Sequence, residues 1–457
     1  MGSDLFLPMT SSHPSSHFLA SRLLHLSLSF AAVAGVNAEP LWPEFRGPTA
    51  QGHSVAKGLP VEWAADKNVL WRSELPGLAW SSPIVANGKI FITNAIGING
   101  GDPAVGASLR VLALDATTGK VVWDTEVFQQ TNASALKMHK KNSHASPSVV
   151  YEQGRLWAHF GHHGTACIDE SGKVLWTNRE HSFKPVHGTG GCPVIVDDLL
   201  IFNHDANMDP SVPAPEKGAP AAAAAPVVKP AVVALDKNTG KTVWRVDRPD
   251  TEAKSKFSFS TPLVIEVAGQ KQVITPGSGV VQALNPKDGS EIWRAYYGTG
   301  YSVVPRPVFA HGMVFLSSGY DKPVGYAIKA DGNGDVTSTH VAWTADKRVP
   351  HNPSMLVVGD ELYMLDDKGM LSSRDARTGV VHYEERLLGP TSSSLLFADG
   401  HIYAIDELGA SAVVKPGKTL EVIARSELKE KTQASMAVCD NDLLIRTEKA
   451  VYRIGKR

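Results

Sequence analysis

Cysteine is scarce in this chain of 457 residues, which contains only Cys167, Cys192 and Cys439. No two of them are adjacent and no Cys-x-x-Cys pair occurs, so the sequence supports neither a disulfide framework nor a cysteine-based zinc site. A surplus of positive charge is also missing, because the formal net charge is −1. Nucleic acid is therefore a poor candidate partner. After the N-terminal region no apolar run is long enough to cross a bilayer, and we expect no transmembrane span.

The first 38 residues differ from the rest in composition. Arg22 precedes an apolar stretch over 23–36 that is short and interrupted by polar residues, and small residues lead up to Ala38. This pattern predicts a secretory signal cleaved after Ala38, with Met9 as a possible true start, and hence a periplasmic or secreted protein. The alternative is a disordered, serine-rich tail. No cysteine follows the apolar stretch, so a lipid anchor is not indicated.

What the chain does contain is a repeat. Glycine (40) and proline (29) are abundant, which favours many tight turns and short strands. One repeated pattern has Asp or Asn, then Gly three or four residues later, then Trp four residues beyond the Gly; it occurs at Ala113–Trp123, Cys167–Trp176, Ala234–Trp244 and Ala283–Trp293. Weaker copies end at Trp343 and at Tyr383, which replaces the Trp.

A second element occurs eight times, around the copies of the first. It is a small or polar residue, often with proline, followed by two apolar runs with a turn between them; the copies start at Ser81, Ala145, Gly191, Ser260, Arg306, Asn352, Ser392 and Ala434. Turns such as Asn87-Gly88 and Asp399-Gly400 are typical of β-hairpins. Together the two elements predict an all-β fold: an eight-bladed β-propeller with four-stranded antiparallel blades.

The ends of the chain predict how the ring closes. Residues 68–72 resemble the last strand of a blade without its first three, and 449–454 resemble a third strand without a fourth, so the two ends should complete one blade. We therefore assign a signal peptide to 1–38, an N-terminal extension to 39–67 and the propeller to 68–457, with a disordered Ala/Pro-rich insertion at 210–230. We expect a monomer. Large, flat side chains should dock between blades at Trp71, Trp123, Trp176, Trp244, Trp293 and Trp343.

These repeats resemble the tryptophan-docking motif of the quinoprotein-type (PQQ-like) β-propellers, a superfamily that includes PQQ alcohol dehydrogenases and the outer-membrane assembly factor BamB. The opening Trp42–Pro48, WPEFRGP, is similar to the start of a bacterial group of PQQ-binding-like propeller repeat proteins. The resemblance implies the fold throughout the chain from Trp42 onward. It implies much less about function.

The same resemblance implies PQQ and calcium as cofactors of the dehydrogenases, together with a pair of adjacent cysteines beside the quinone. This chain has no adjacent cysteines, and we cannot match the calcium-binding motifs to its positions. We therefore assign no cofactor; the alternative function is a quinoprotein-like oxidoreductase with PQQ and calcium, or a metal-dependent enzyme, that uses the channel mouth. A BamB-like binding or scaffolding module is preferred, although the chain lacks the cysteine of a lipoprotein.

Histidine is unevenly distributed, because eight of the 17 histidines lie between residues 139 and 204. The repeat alignment places seven of them in loops that emerge on one face over blades 1 to 3. Trp80 and His144 each precede a proline by three residues, so we expect them at equivalent positions near the channel mouth. His162 and His163 are adjacent and should point in opposite directions if extended.

From this pattern we predict a ligand site at the channel mouth, with no catalytic residue assigned. Imidazoles and carboxylates that converge there could bind a small molecule, an anion or a metal ion, whereas the alternative is a set of structural loop histidines. The expected partner is a protein or a saccharide-like small molecule. The predicted site consists of Trp80, His139, His144, His162, His163, His187, His204, Asp205, Arg306 and His351, with Asp209 as a possible further carboxylate.

Overall fold

Eight antiparallel β-sheets are arranged as the blades of a propeller, as the repeats predict. The computed structural model describes residues 42–97, 106–130, 138–181, 187–205 and 229–456. The predicted signal peptide and nearly all of the Ala/Pro-rich insertion lie outside these ranges. Among the described residues, no helix is long and apolar enough to cross a membrane.

The four strands of each blade are called A, B, C and D in the order in which they occur along the chain. The closing blade is the exception, because its strand D comes from the N-terminal part of the chain. Blade 1 consists of β2 (Ile84–Ala86), β3 (Lys89–Gly97), β4 (Ala107–Asp115) and β5 (Val121–Gln130). Blade 2 consists of β6 (Val150–Glu152), β7 (Arg155–His159), β8 (Thr165–Asp169) and β9 (Val174–Asn178). Blade 3 consists of β10 (Val194–Val196), β11 (Leu199–His204), β12 (Ala231–Asp236) and β13 (Thr242–Asp247).

The next three blades follow the same order. Blade 4 consists of β14 (Leu263–Val267), β15 (Gln270–Pro276), β16 (Val280–Leu284) and β17 (Glu291–Tyr296). Blade 5 consists of β18 (Val308–Ala310), β19 (Met313–Ser317), β20 (Gly325–Lys329) and β22 (Val341–Ala345), while the short β21 (Gly334–Asp335) pairs in parallel with β17. Blade 6 consists of β23 (Leu356–Val358), β24 (Glu361–Leu365), β25 (Met370–Asp375) and β26 (Val381–Arg386).

Blade 8 closes the ring with both ends of the chain. Blade 7 consists of β27 (Leu396–Ala398), β28 (His401–Ile405), β29 (Ala410–Lys415) and β30 (Glu421–Glu427). Blade 8 takes its strands A to C from β31 (Ala437–Cys439), β32 (Asp442–Arg446) and β33 (Ala450–Ile454), and its strand D is β1 (Val69–Glu74). Strand β1 pairs antiparallel with β33, with Arg72 opposite Tyr452. The predicted closure is confirmed.

Hairpin turns explain why the strands begin where they do. Asn87 and Gly88 have φ of 49° and 69°, and Asp399 and Gly400 have φ of 49° and 75°. Both residues of each turn thus have the positive φ that a two-residue hairpin turn of type I′ requires. Such turns start strand β3 and strand β28 in register with the strand A that precedes each of them.

Most of the repeat tryptophans contact the next blade through its turn. The indole nitrogen Nε1 of Trp176 in blade 2 donates to the carbonyl oxygen of Lys237 in blade 3 at 3.1 Å. Its ring also lies over Gly240, where an added Cβ would stand 2.4 Å from Cε3 of Trp176. Equivalent hydrogen bonds to the following blade are made by Trp71, Trp123, Trp244 and Trp343. Trp293 departs from this pattern, because it donates to Gln272 within its own blade.

The Ala/Pro-rich sequence 210–230 lies in the chain between two strands of blade 3. Strand β11 ends at His204 and strand β12 begins at Ala231, so the insertion joins strands B and C of blade 3.

Candidate functional site

A cavity of about 550 Å³ opens at the centre of the ring, on the face where the D–A and B–C loops emerge. Its volume lies within the range of small-molecule sites. Loops of all eight blades contribute to its lining. The residues that line it include Phe45, Trp80, Ser82, His139, Lys140, Lys141, Ser148, His187, Cys192, Phe257, Thr261, Tyr301, Tyr320, His351, Asn352, Ser354, Asp367, Ser394 and Ser435.

The floor of the cavity contains a repeated position, the residue two before the first residue of each strand A. We call these eight residues the inner ring: Ser82, Ser148, Cys192, Thr261, Arg306, Ser354, Ser394 and Ser435. Seven of the eight are small and carry a hydroxyl or thiol group, and these seven line the cavity.

Hydrogen bonds link neighbouring members of the inner ring. The backbone N–H of Ser354 donates to Oγ of Ser394 at 3.0 Å, and that of Ser394 donates to Oγ of Ser435 at 2.9 Å. The backbone N–H of Ser435 then donates to Oγ of Ser82 at 3.1 Å. The same bond joins Ser148 to Cys192, Cys192 to Thr261 and Arg306 to Ser354. A small side chain at this position therefore satisfies the buried N–H group of the preceding blade.

An arc of six rings forms one wall of the cavity. We call it the aromatic arc, and its members in order are His139, His187, Phe257, Tyr301, Tyr320 and His351. Successive ring centroids along this order are 5.3, 5.4, 5.7, 6.0 and 5.5 Å apart. These separations are typical of aromatic pairs in contact. The arc offers ring faces and polar edges to a molecule in the cavity.

Positive charge exceeds negative charge in the lining. Asp367 is the one acidic lining residue among those the structure describes, and its Oδ2 lies 3.3 Å from Nδ1 of His351. Burial raises the pKa of Asp367, but hydrogen bonds from His351 outweigh it and the pKa is lowered. Lys141 pairs with Glu407 at 2.9 Å. Lys140 is exposed and has no ion pair with any residue in the described ranges.

The N-terminal segment closes the cavity from below. Trp42 forms an antiparallel bridge with Val85 of blade 1, and Phe45 lines the cavity. Nη2 of Arg306 in blade 5 lies 2.7 Å from Oε2 of Glu44, and its Nη1 donates to the carbonyl oxygen of Phe45 at 2.6 Å. The WPEFRGP motif therefore crosses from blade 1 to blade 5 beneath the cavity.

Four of the ten predicted site residues line the cavity: Trp80, His139, His187 and His351. Arg306 does not, because its side chain is 1% exposed and turned toward Glu44. Asp205 is also engaged elsewhere, in a buried pair with Arg248 whose Nε lies 2.7 Å from Oδ1 of Asp205. Asp209 lies outside the described residues.

The remaining predicted histidines do not line the cavity: His144, His162 and His204 are buried and His163 is half-buried. A fourth histidine, His159, lies in strand β7 of blade 2 beside His162, His163 and His204. Its ring centroid lies 4.4 Å from that of Phe202. Burial, the largest cause, lowers the pKa of His159 to about 3, of His162 to about 4, of His163 to about 2 and of His204 to about 3. We call these four the buried histidines. Their neutral rings serve packing in blades 2 and 3.

Two details of the predicted site are corrected. Trp80 stands four residues before strand β2, whereas His144 stands six before strand β6, so Ser146 and not His144 is equivalent to Trp80. His162 and His163 lie in a 3₁₀ turn, Gly161–His163, and their ring centroids are 3.8 Å apart. They do not point in opposite directions, because this backbone is not extended.

The sequence reasoning missed the inner ring and most of the aromatic arc. A signal for the ring was present, since a small or polar residue starts nearly every copy of the second repeat element. No comparable signal marks Phe257, Tyr301 or Tyr320, because the D–A and B–C loops that carry them do not repeat.

The donor set does not fit calcium-bound PQQ. The described residues contain no group of three or more His, Cys, Asp or Glu side chains placed to hold a metal ion. Asp367 is already bound to His351 and Asn352, and Cys192 has no second cysteine beside it in the sequence.

Comparison with known proteins shows the family. A profile of the family described as "Outer membrane protein assembly factor BamB" matches residues 98–209 and 228–448, which is more than half of the chain. The chain belongs to this family. BamB of Alkalilimnicola ehrlichii is 29% identical over 155 residues, a stretch that covers 33% of this chain and 38% of that protein. The match thus spans less than half of this relative.

Solved structures share the fold at low sequence identity. BamB from Moraxella catarrhalis superposes with a TM-score of 0.53 at 15% identity, covering 84% of this chain and 96% of its own. The quinohemoprotein alcohol dehydrogenase ADHIIG from Pseudomonas putida superposes with a TM-score of 0.59 at 12% identity, covering 92% and 81%. These likenesses concern the propeller fold alone.

Proposed function

We propose that this protein is an extracytoplasmic binding module that holds its ligand in the central cavity of a BamB-type propeller. The observation that carries the proposal is the cavity itself, which combines a hydrogen-bonding floor, an aromatic wall and a surplus of positive charge. Sites of this size, mostly apolar with a few placed polar groups, are the usual form of ligand pockets.

Two further observations support a binding role. The family is described as an assembly factor, which favours a scaffolding or binding activity over catalysis. In addition, the acidic residue and the cysteine of the cavity, Asp367 and Cys192, are both bound to neighbouring residues within the described ranges.

The proposed location outside the cytoplasm rests on the N-terminal sequence and on the relatives. Residues 1–38 have the pattern of a secretory signal, and the relatives are described as outer membrane assembly factors. The alternative of a quinoprotein-like enzyme has support from the shared fold, but its cofactor does not fit the cavity residues.

A cavity-filling variant tests the proposal. Gln433 lines the cavity, is partly exposed and makes no side-chain hydrogen bond to another described residue, so Gln433→Trp should fill the mouth without disturbing the blades. Gln129→Trp on the outer strand β5 adds the same bulk away from the cavity. We would titrate the purified full chain with acidic and neutral disaccharides and with short peptides.

A probe that binds the wild type should bind Gln433→Trp with an affinity about tenfold or more lower. Its affinity for Gln129→Trp should stay within about twofold of the wild-type value. Urea unfolding of each variant checks that the fold is kept. Equal binding to the wild type and to Gln433→Trp would place the ligand outside the cavity and contradict the proposal.

A further inference from the structure

Most hydroxyl groups of the inner ring accept a hydrogen bond from the protein but do not donate one to it. Oγ of Ser82, Ser354, Ser394 and Ser435 and Oγ1 of Thr261 each accept a hydrogen bond from a neighbouring backbone N–H. None of these five hydroxyls donates to another residue in the ranges that the structure describes. Because a hydroxyl carries one donor besides its acceptor sites, five O–H protons remain for a molecule in the cavity.

Ser148 differs from these five residues, because its hydroxyl group does donate a hydrogen bond within the protein. Its Oγ donates to the carbonyl oxygen of Ser82 at 3.1 Å, so its proton has a partner within the ring. The other five hydroxyls line the cavity while their residues are at most 8% exposed. Fixed, buried O–H donors that face a cavity favour a ligand with oxygen acceptors, and ionised acceptors most of all.

The charged groups of the cavity also favour an anionic ligand. Lys140 at the mouth forms no ion pair within the described ranges, and the carboxylate of Asp367 is occupied by His351 and Asn352. An anion would therefore meet free donors and a cation without displacing an existing ion pair. A cation would find no free carboxylate among the described lining residues.

The arrangement of the donors selects among anions. They come from blades 1, 4, 6, 7 and 8, so they approach the centre of the floor from several directions. A ligand with oxygen atoms around its whole edge can use donors arranged in this way, whereas the terminal carboxylate of a peptide reaches only one or two of them. The aromatic arc then provides ring faces for the less polar side of the same ligand.

On the basis of the proposed function, we propose that the cavity binds an acidic saccharide, with a carboxylate or sulfate group and ring oxygens on the inner ring and a sugar face against the aromatic arc. The O–H groups of the ring donate to the ligand while they keep accepting from the backbone. Lys140 supplies the charge that favours the acidic sugar over a neutral one.

Calorimetric titration of the purified full chain tests this inference directly. The probes are digalacturonic acid, its carboxyl-reduced neutral disaccharide, glucose 6-sulfate, inorganic sulfate and a short peptide. We expect at least one of the two acidic sugars to bind about tenfold or more tightly than the neutral disaccharide. The carboxylate and sulfate probes separate the two sources of negative charge.

A single-atom change tests the donor role. Ser394→Cys keeps an acceptor for the N–H of Ser354, as Cys192 already does for Ser148 at 3.1 Å, but replaces a strong O–H donor with a weak S–H donor. Its neighbour Ser393 does not line the cavity and donates to Ala434, so Ser393→Cys is the matched control. Ser394→Cys should weaken acidic-sugar binding several-fold, and Ser393→Cys should leave it unchanged.

Other outcomes overturn the inference in distinct ways. Equal affinity for the neutral disaccharide, or a preference for the peptide, would refute the acidic saccharide while leaving a binding cavity in place. Inorganic sulfate bound as tightly as glucose 6-sulfate would show that the sugar contributes nothing. Failure of both acidic sugars to bind refutes the inference outright, and acidic-sugar binding that survives Gln433→Trp refutes the proposed function as well.

Discussion

Nη2 of Arg306 lies 2.7 Å from Oε2 of Glu44, and this ion pair fastens the N-terminal segment across the base of the central cavity. The guanidinium group is almost fully buried and also donates to the carbonyl oxygens of Pro262 and Phe45 at 3.0 and 2.6 Å. Arg306 is the only charged member of the inner ring, and the WPEFRGP motif supplies its counter-charge.

Replacing Glu44 with Gln should therefore destabilise the fold. The amide keeps the shape of the side chain but leaves the Arg306 guanidinium without its counter-charge, at a cost of about 2 kcal/mol in the free energy of unfolding. Urea unfolding measures the difference. Glu74→Gln is the control, because Glu74 pairs with Arg72 on the surface and its side chain is 81% exposed; its effect should be small. Equal effects of the two variants would mean that the Arg306 pair contributes little.

Acidification should weaken the fold through the buried histidines. Their pKa values are lowered in the folded protein to between about 2 and about 4, against a usual value of 6.5, mainly by burial. The unfolded chain then binds protons that the folded chain does not, so their contribution to stability is complete above pH 6.5 and is lost as the pH falls toward these folded values. Each such proton changes the free energy of unfolding by about 1.4 kcal/mol per pH unit in this window.

The measurement is the urea midpoint between about pH 7.5 and 5, a range in which ordinary carboxylates stay ionised. His159→Gln should flatten the decline, since Gln does not titrate and can still bond to Oγ1 of Thr165, which lies 2.8 Å from Nδ1 of His159. His311→Gln, on an exposed turn of blade 5, should leave the decline as it is. A midpoint that stays constant from pH 7.5 to 5 would contradict the burial of neutral histidines.

Glycine in the tryptophan-contacting turns should be harder to replace than glycine in the hairpin turns. Gly240 has a φ of +72° and an added Cβ would stand 2.4 Å from Cε3 of Trp176, whereas Gly400 has a φ of +75° with nothing within 4 Å. Gly400→Ala pays only the cost of the backbone conformation, about 1 kcal/mol. Gly240→Ala has the same backbone cost, and its methyl group must also displace the indole of Trp176. It should therefore destabilise the protein by about 1 to 3 kcal/mol more than Gly400→Ala does. Thermal unfolding of both variants gives the comparison, and equal losses would show that the indole yields without cost.

The ring of blades could be predicted because its signals repeat. Asp, Gly and Trp recur at fixed spacing, since each Gly must accept an indole ring and a positive φ at once, as Gly240 does. The closing blade was predicted for a related reason, because residues 68–72 and 449–454 each lack the strands that a blade needs. Repetition therefore identifies the strands and their order.

The site was only partly predictable. The histidines point to blades 1 to 3, but the cavity involves the whole ring and takes in Tyr301 and Tyr320 from the loops of blade 5. Proline was a misleading marker, because Pro83 directly precedes strand β2 while Pro147 stands three residues before strand β6. Nothing in the repeat indicates that residues 42–48 cross beneath the channel, since that path depends on contacts with distant blades.

The pairing of strand β1 with strand β33 has a consequence for how the chain folds. Strand β1 is made long before its hydrogen-bonding partner β33, so this blade cannot form, and the ring cannot close, until β33 has been made. Contacts so distant in sequence form slowly, and meanwhile the edges of the first and last blades can pair with other chains. A circular permutant in which β1 follows β33 would turn this slowest contact into a local hairpin and shorten the time during which the open ring can aggregate.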